Sequence, residues 1–486
     1  MDQAQGHAED AESAYDVVVI GAGPVGENVA DRARAAGLSA AIVESELVGG
    51  ECSYWACMPS KALLRPVIAR ADARRVPGLR QAVQGPLDAA AVLAHRDYYT
   101  NNWKDDGQVG WLDSIGVRVY RGQGRIDGPK RVTVGGPDGE RQVLTARHAV
   151  AVCTGSRAVL PDLPGLADVR PWTSREATSA QSVPGRLAVV GGGVVAAEMA
   201  TAWQALGSRV TVLVRGEGLL PKMEPFAGEL VAEALREAGA EVRTGVSVTS
   251  AVREGGAVTL TLDDGEHLEA DEVLFATGRA PRTDDLGLDT IGIEPGSWLT
   301  VDDSCRVEGS DWLYAVGDVN HRALLTHQGK YQARIAGAAI AARAAGTPLL
   351  ETDRWGAHAA TADHAAVPQV VFTDPEVASV GPTAAEAERA GRRVRVVDYD
   401  LSGVAGAGLY ADGYRGQARM LVDPDRPVVV GATFVGPGAG ELLQAATIAV
   451  AGEVPVERLW HAVPAYPTIS EVWLRFLETY RDGDGG

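Results

Sequence analysis

The sequence is poor in cysteine: 486 residues carry only Cys52, Cys57, Cys153 and Cys305. Four are too few for the disulfide scaffold of a small secreted domain. Positive charge is also scarce. Lys+Arg 45 against Asp+Glu 64 leave a net charge of -19, which argues against nucleic acid or an anionic membrane as the main partner. A local basic pocket for a phosphate stays compatible with that balance. No run of 18 or more apolar residues occurs, so no transmembrane helix is expected. The opening stretch MDQAQGHAEDAESAYD has neither a basic n-region nor an apolar h-region, and no signal peptide is expected. Residues 1–14 read as a disordered acidic tail, and the chain as cytoplasmic. In a reducing compartment a close cysteine pair is catalytic or metal-binding rather than a structural staple. Repeats of 20 to 50 residues and low-complexity linkers are missing too.

What is present is a long chain, 46% hydrophobic and rich in glycine (Gly 58). At about 150 residues per domain it calls for about three domains. The stretch YDVVVIGAGPVGENVADRARAAG reads as a strand, a glycine turn and a helix. A second strand, LSAAIVE, follows and ends in Glu44. Gly21, Gly23 and Gly26, with Pro24 between them, have the spacing of a dinucleotide turn. The first glycine permits the tight turn and the second lets a pyrophosphate approach the backbone, where a helix N-terminus faces it. Glu44 stands where a carboxylate accepts hydrogen bonds from a ribose. The pattern returns in GRLAVVGGGVVAAEMATAWQALGSRVTVLVRGEGLL, with Gly191, Gly193 and Ala196. There the position of the acid is Val214, followed by Arg215. A guanidinium in place of a carboxylate suits a 2′-phosphate, so NADPH is expected at this second turn, with NADH the alternative.

Three more strands run into glycine turns of the type that lets a backbone approach a ligand. They end in Thr154, Gly155 and Ser156, in Gly278 and Arg279, and in Gly317 and Asp318. From about residue 359 the pattern changes to strands followed by helices without a nucleotide fingerprint, an α+β segment.

The stretch VGGECSYWACMPSKALL holds Gly50, Cys52, Cys57 and Lys61. Pro59 suits the first turn of a helix continuing through KALLRPVIARA. Cys57 then lies near a positive helix end with Lys61 one turn on, and both favour a thiolate. A zinc site needs about four ligands. Cys153 sits in an apolar strand, as a small core residue, and Cys305 in a distant polar stretch, as an incidental one. No metal site is expected.

With these motifs in this order the chain resembles the class I pyridine nucleotide–disulfide oxidoreductases, which include dihydrolipoamide dehydrogenase, glutathione reductase and mercuric reductase. The likeness runs from GAGPVG through GGECSYWACMPSK, ATGRAP, YAVGD and FTDPEVASVG to PTISE. It implies an α/β protein with two Rossmann-like dinucleotide-binding domains and an α+β C-terminal dimerisation domain. The expected division is a first FAD-binding part at 15–160, an NAD(P)-binding domain at 161–280, a second FAD-binding part at 281–358 and a dimerisation domain at 359–486. The resemblance implies FAD in the first fold, a nicotinamide nucleotide in the second, and a homodimer whose active site both subunits build. It further implies that Cys52 is the outward thiol that attacks substrate and Cys57 the flavin-facing thiol. Lys61 would lie near the flavin N5 and pair with Glu198, and Gly317 and Asp318 would hold the ribityl and phosphate region.

One departure matters. The family motif His-Pro-Thr-x-Ser-Glu here reads Tyr466-Pro467-Thr468-Ile469-Ser470-Glu471. The histidine that serves the outward thiol is replaced by Tyr466, while Glu471, its orienting acid, remains. His461 lies five residues earlier and reads as a loop histidine. An imidazole takes and gives a proton near neutrality. A phenol, ionising near 10, donates but is a poor base. Mercuric reductase also lacks this histidine, but relies on a C-terminal cysteine pair, and no cysteine follows Cys305 here. The expectation is an NAD(P)H oxidoreductase that passes electrons through flavin and Cys52–Cys57 to a disulfide or other thiol-reactive small molecule. Direct transfer from flavin to a quinone or metal ion is the alternative, and a low-turnover redox sensor or complex subunit ranks below both.

Overall fold

The computed structural model describes residues 11–136, 139–349 and 351–483. By its contacts the chain separates into two compact units. One contains 1–54, 100–157 and 279–363; the other contains 55–99, 158–278 and 364–486. Segment 55–99, assigned from sequence to the first nucleotide fold, clusters instead with the second unit. The signal for that lies in tertiary contacts.

The first unit is built on a seven-stranded sheet. Strands Arg118–Arg121, Ala40–Glu44, Ala11–Ile20 and Arg141–Val152 run parallel in that order. Arg141–Val152 is shared along its other edge: its first residues pair antiparallel with Arg131–Gly135 and its last with Leu313–Ala315. Val17, Val18 and Val19 are fully buried, as expected for a parallel strand covered on both faces. Helix Pro24–Ala35 follows with proline in its first turn, and buries Gly26, Val29, Ala30 and Ala33 on one face. Helix Thr326–Ala344 packs on it closely enough that a Cβ at Gly337 would stand 2.4 Å from Arg32 Cβ. Of the expected disordered tail 1–14, residues 1–10 lie outside the described residues, and 11–14 are corrected. Ala11 to Ala14 continue the first strand in register with Gln142 to Thr145, because the ladder and not local propensity sets where this polar strand begins.

The second unit contains a parallel four-stranded sheet in the order Glu241–Thr244, Arg209–Val214, Arg186–Val190, Glu272–Phe275. Helices Val194–Leu206 and Pro225–Glu237 bury their apolar residues in its core. Trp203 is fully buried there, and its indole N–H donates to Ala177 O at 3.2 Å. Truncating such a side chain to alanine costs about 3–5 kcal/mol. A separate five-stranded antiparallel sheet follows. Its middle strand, Val428–Gly436, is buried at every residue, and Phe434 packs with Trp473 and Phe476 of helix Val472–Asp482. The expected fold class is borne out: two nucleotide-type α/β sheets and an α+β C-terminal domain.

Candidate active site

The glycine turns of the two units repeat one geometry. In the first unit a Cβ at Gly21 would lie 2.5 Å from Cys153 O, and one at Gly26 1.9 Å from Gly21 O, whereas one at Gly23 meets nothing within 4 Å. The first and third glycines permit backbone packing and the second faces open space. In the second unit a Cβ at Gly191 would lie 2.4 Å from Ala276 O, Gly193 is open and Ala196 is fully buried. Gly23 and Gly193 are the N-caps of their helices, and no side chain caps either end, so the first-turn N–H groups face the place of a phosphate.

Around Gly23 the first unit gathers the other expected residues. Gly50, at φ +56°, lies against it: a Cβ there would stand 2.8 Å from Gly23 Cα. Gly49 N–H donates to Ala22 O at 2.7 Å. Helix Gly50–Tyr54, which carries the half-buried Cys52, is thereby tied to the nucleotide turn. Glu44 accepts Ala22 N–H at 2.7 Å and Glu46 N–H at 2.8 Å, and burial raises its pKa despite these bonds. Ser156 Oγ–H donates to Asp318 Oδ2 at 2.5 Å, and Arg279 donates from Nε to Ser156 Oγ at 2.6 Å and from Nη2 to Ser156 O at 2.8 Å. Burial raises the Asp318 carboxyl, against the pull of Ser156 and Arg279. Gly317, at φ +84°, donates its N–H to Gln332 Oε1 at 2.8 Å, and Gln332 Nε2 donates to Asp363 at 2.9 Å.

Five residues of this cradle escaped the sequence reading. Arg282 pairs with Glu51, next to Cys52, at 2.9 Å. Gln332 and Asp363 support Gly317. Glu27 has its Oε1 buried without a hydrogen-bond partner, and its pKa is raised to about 7 by burial, with Glu44 adding to and Lys330 opposing the shift. Thr154 Oγ1 is likewise buried and unpartnered, beside Gly155, whose φ of +70° faces open space. An open glycine turn and two buried oxygens without hydrogen-bond partners in the same unit fit a polyhydroxylated dinucleotide such as FAD. Cys153 and Cys305 are core residues, both pushed far up by burial. Cys305, expected to be incidental in a polar stretch, is fully buried at φ +63°.

In the second unit Cys57, half-buried, opens helix Cys57–Arg75, and Pro59 sits in its first turn. Lys61 Nζ reaches Glu198 Oε2 at 2.8 Å and Oε1 at 3.1 Å, although 137 residues separate the two. Glu198 is buried and also accepts Phe372 N–H at 3.0 Å, with Lys61 Nζ 4.9 Å from the Phe372 ring centroid. Gly278, at φ +140°, lies three residues past strand Glu272–Phe275 and its carbonyl accepts Val159 N–H at 3.0 Å. Val214 is buried, and Arg215 is exposed with no ion pair among the described residues.

The C-terminal motif does not gather its parts. Tyr466 is 77% exposed and makes no hydrogen bond among the described residues. Glu471 is buried and pairs through Oε1 with Arg475, one turn along the same helix, while Oε2 is buried without a partner. Gly406 packs so tightly on this segment that a Cβ would stand 2.1 Å from Thr468 C. His461 is exposed in its loop. Among the described residues no group of three or more His, Cys, Asp or Glu could hold a metal ion, and no helix is long and apolar enough to cross a membrane.

Two nucleotide folds, one joined to a cysteine-bearing helix, define an oxidoreductase that couples a pyridine nucleotide to a flavin. The chain belongs to the pyridine nucleotide-disulphide oxidoreductases: that family matches residues 15–345, and its dimerisation domain matches residues 367–475. It is 31% identical to a dihydrolipoyl dehydrogenase of Haloferax volcanii over 96% of this chain and 97% of that one. It is 33% identical to a mercuric reductase of Acidithiobacillus ferrooxidans over 94% of this chain and 80% of that one. LpdA of Mycobacterium tuberculosis superposes with a TM-score of 0.80 at 26% identity, covering 96% of this chain and 99% of that one. The family is FAD-dependent and uses NAD(P)H, so the chain is an NAD(P)H-dependent flavoprotein disulfide oxidoreductase, and its dimerisation domain supports a homodimer.

Proposed function

We propose that NADPH is the donor and that Cys52 and Cys57 carry the electrons to a disulfide or other thiol-reactive small molecule. The observation that carries this reading is the tie between motif and cradle: Gly50 against Gly23, and Gly49 bonded to Ala22 at 2.7 Å. FAD bound in that cradle supplies two-electron carriage between a reduced nicotinamide and the cysteines. Gly23, Glu44, Ser156, Arg279 and Asp318 would hold it, Gly191 and Gly193 would seat the pyrophosphate of the donor, and Arg215 would take the 2′-phosphate. The helix N-terminus and Lys61, held by Glu198, favour the thiolate of Cys57. Cys52 attacks the acceptor disulfide, forming a mixed disulfide and releasing one thiolate, which takes a proton. Cys57 then attacks Cys52 sulfur, the mixed disulfide breaks and the second thiol leaves. The Cys52–Cys57 disulfide left behind is returned to two thiols at the expense of NADPH, so that in sum NADPH and one proton become NADP⁺ and one acceptor disulfide becomes two thiols. Tyr466 and Glu471 act from the partner subunit and shape the acceptor site.

A second reading has one observation in its favour. With Tyr466 at the histidine position and Glu471 already paired to Arg475, proton abstraction at the outer thiol is weakly served. FAD, when bound, would then supply electrons to a quinone or metal ion without the cysteine pair. Anaerobic NADPH should raise a long-wavelength band from the Cys57 thiolate beside oxidised flavin, and Cys57→Ser should remove it. No band, or one unchanged in Cys57→Ser, refutes the relay. Quinone turnover that survives Cys52→Ala supports the second reading, and turnover lost in that variant counts against it.

A further inference from the structure

Trp55 stands between the two cysteines in sequence, and one short helix of its own unit grips it twice. The Arg175 guanidinium lies 4.2 Å from the centroid of the Trp55 ring. Thr178 Oγ1–H donates to Trp55 O at 2.9 Å, in competition with Ser174 O at 2.9 Å and Arg175 O at 3.2 Å. Residues 175 and 178 share a face of helix Ser174–Ser179. A helix of six residues is unstable alone, and this one is secured at both ends. Thr173 and Glu176 form a capping box at its start. At its end the fully buried Arg96 donates from Nη1 to Thr178 O and from Nη2 to Ala180 O at 2.9 Å, its Nε bonding Asp97 at 2.6 Å. A buried guanidinium on helix-terminal carbonyls satisfies groups that burial would leave unpaired. The result is a rigid seat with a cation on one side of Trp55 and a hydroxyl on its carbonyl. Trp55 and Cys57 are two residues apart, so their Cα atoms lie within about 7 Å. Whatever fixes Trp55 therefore fixes Ala56, the N-cap, and the start of the Cys57 helix.

We propose that Arg175 is a positioning residue for Cys57. Through Trp55 it holds the first turn of the Cys57 helix in the orientation that stabilises the sulfur as an anion, and its own charge works with Lys61, which is neutralised in part by Glu198. This rests on the reading of Cys57 as the flavin-facing redox thiol.

The test uses the FAD-loaded enzyme with Arg175→Met, Arg175→Lys and Thr178→Val. Two quantities are read at one pH. The first is the amplitude of the thiolate–flavin band per flavin after two-electron reduction. The second is the alkylation rate of Cys57 by iodoacetamide in a reduced Cys52→Ala background, which needs no flavin chemistry. Arg175→Met should lower both about threefold, the effect of half a pKa unit on a partly ionised thiol. Arg175→Lys should restore most of the loss, and Thr178→Val should show a smaller one. If Arg175→Met does not fold, the Lys and Val variants carry the same comparison. Alkylation and band both at wild-type levels in every variant would overturn the proposal. Absence of the band from the wild type sinks the relay alone, and the alkylation rates still decide the role of Arg175.

Discussion

Glu27 gives the sharpest physical prediction. It lies in the first turn of helix Pro24–Ala35, where an acid is favoured by the helix dipole. Burial nevertheless raises it from 4.5 to about 7, with Glu44 adding to the shift, and its Oε1 has no hydrogen-bond partner. Because the folded pKa exceeds the unfolded one, the native state binds this proton more tightly. That contribution is complete below about 4.5 and is lost as pH rises through about 7. The difference of about 2.5 units corresponds to about 3 kcal/mol. Glu27→Gln keeps the shape of the protonated acid and removes the titration. At pH 4 the variant and the wild-type apoprotein should unfold together, and at pH 8.5 the variant should be the more stable by about 3 kcal/mol. If the first unit, roughly 200 residues, melts by itself, its unfolding entropy of about 0.4 kcal/mol/K turns that into a rise of about 7 °C. Melting as one 486-residue unit would reduce the rise to about 3 °C. Calorimetry of apoprotein at the two pH values measures it. Equal midpoints at pH 8.5, or a gap of the same size at both pH values, would refute the reasoning.

Gly23→Ala and Gly26→Ala should part company. The first adds a methyl to open space at φ −71°, so the apoprotein should keep its stability and lose FAD; the second meets Gly21 O at 1.9 Å and should lose the fold. Circular dichroism and flavin content separate the two. Arg215→Gln should raise the KM for NADPH about tenfold and leave that for NADH unchanged, as the loss of one charge-assisted phosphate contact requires. Equal effects on both donors would remove Arg215 from phosphate recognition. Tyr466→His should raise kcat/KM on a small aliphatic disulfide about tenfold, with a further gain in Tyr466→His/Arg475→Gln, where Glu471 is released to orient the imidazole. No gain in FAD-loaded variants would mean that pocket shape, and not proton transfer, limits the reaction.

The parts of the site legible in the sequence are those whose signal is local. The two glycine turns announce themselves through spacing, because each glycine answers a contact within a few residues or an adjoining strand. Glu471 and Arg475 are four apart on a helix and their pairing was open to the same reasoning, yet the family motif drew attention to position 466 instead. Lys61 with Glu198, and Arg282 with Glu51, are 137 and 231 residues apart, so nothing in the local pattern links them. The first pairing was reached only through family likeness, and the second was not reached. The strand residues Ala11 to Ala14 fail the local test for a different reason. AESA has no strand character, and its conformation comes from the ladder it completes with Gln142 to Thr145.

The same contrast bears on what the enzyme reduces. On the inner side, all the expected groups are held by redundant contacts: Glu198 takes Lys61 and a backbone N–H, and Gly50 and Gly49 are both locked to the glycine turn. On the outer side the acid is committed elsewhere, since Arg475 holds Glu471, and the phenol at 466 makes no hydrogen bond among the described residues. A relay needs its inner thiol stabilised as an anion whatever the acceptor. It needs a base at the outer thiol to ionise Cys52, and a proton donor, which a phenol can be, when the leaving thiolate is a poor one. Leaving thiolates of low pKa depart without help, and a quinone or metal ion needs no departing sulfur at all. Under the proposed relay, a Cys52 without a strong base would favour activated disulfides, whose reaction tolerates a poorer nucleophile, or acceptors without a sulfur leaving group, over ordinary aliphatic disulfides.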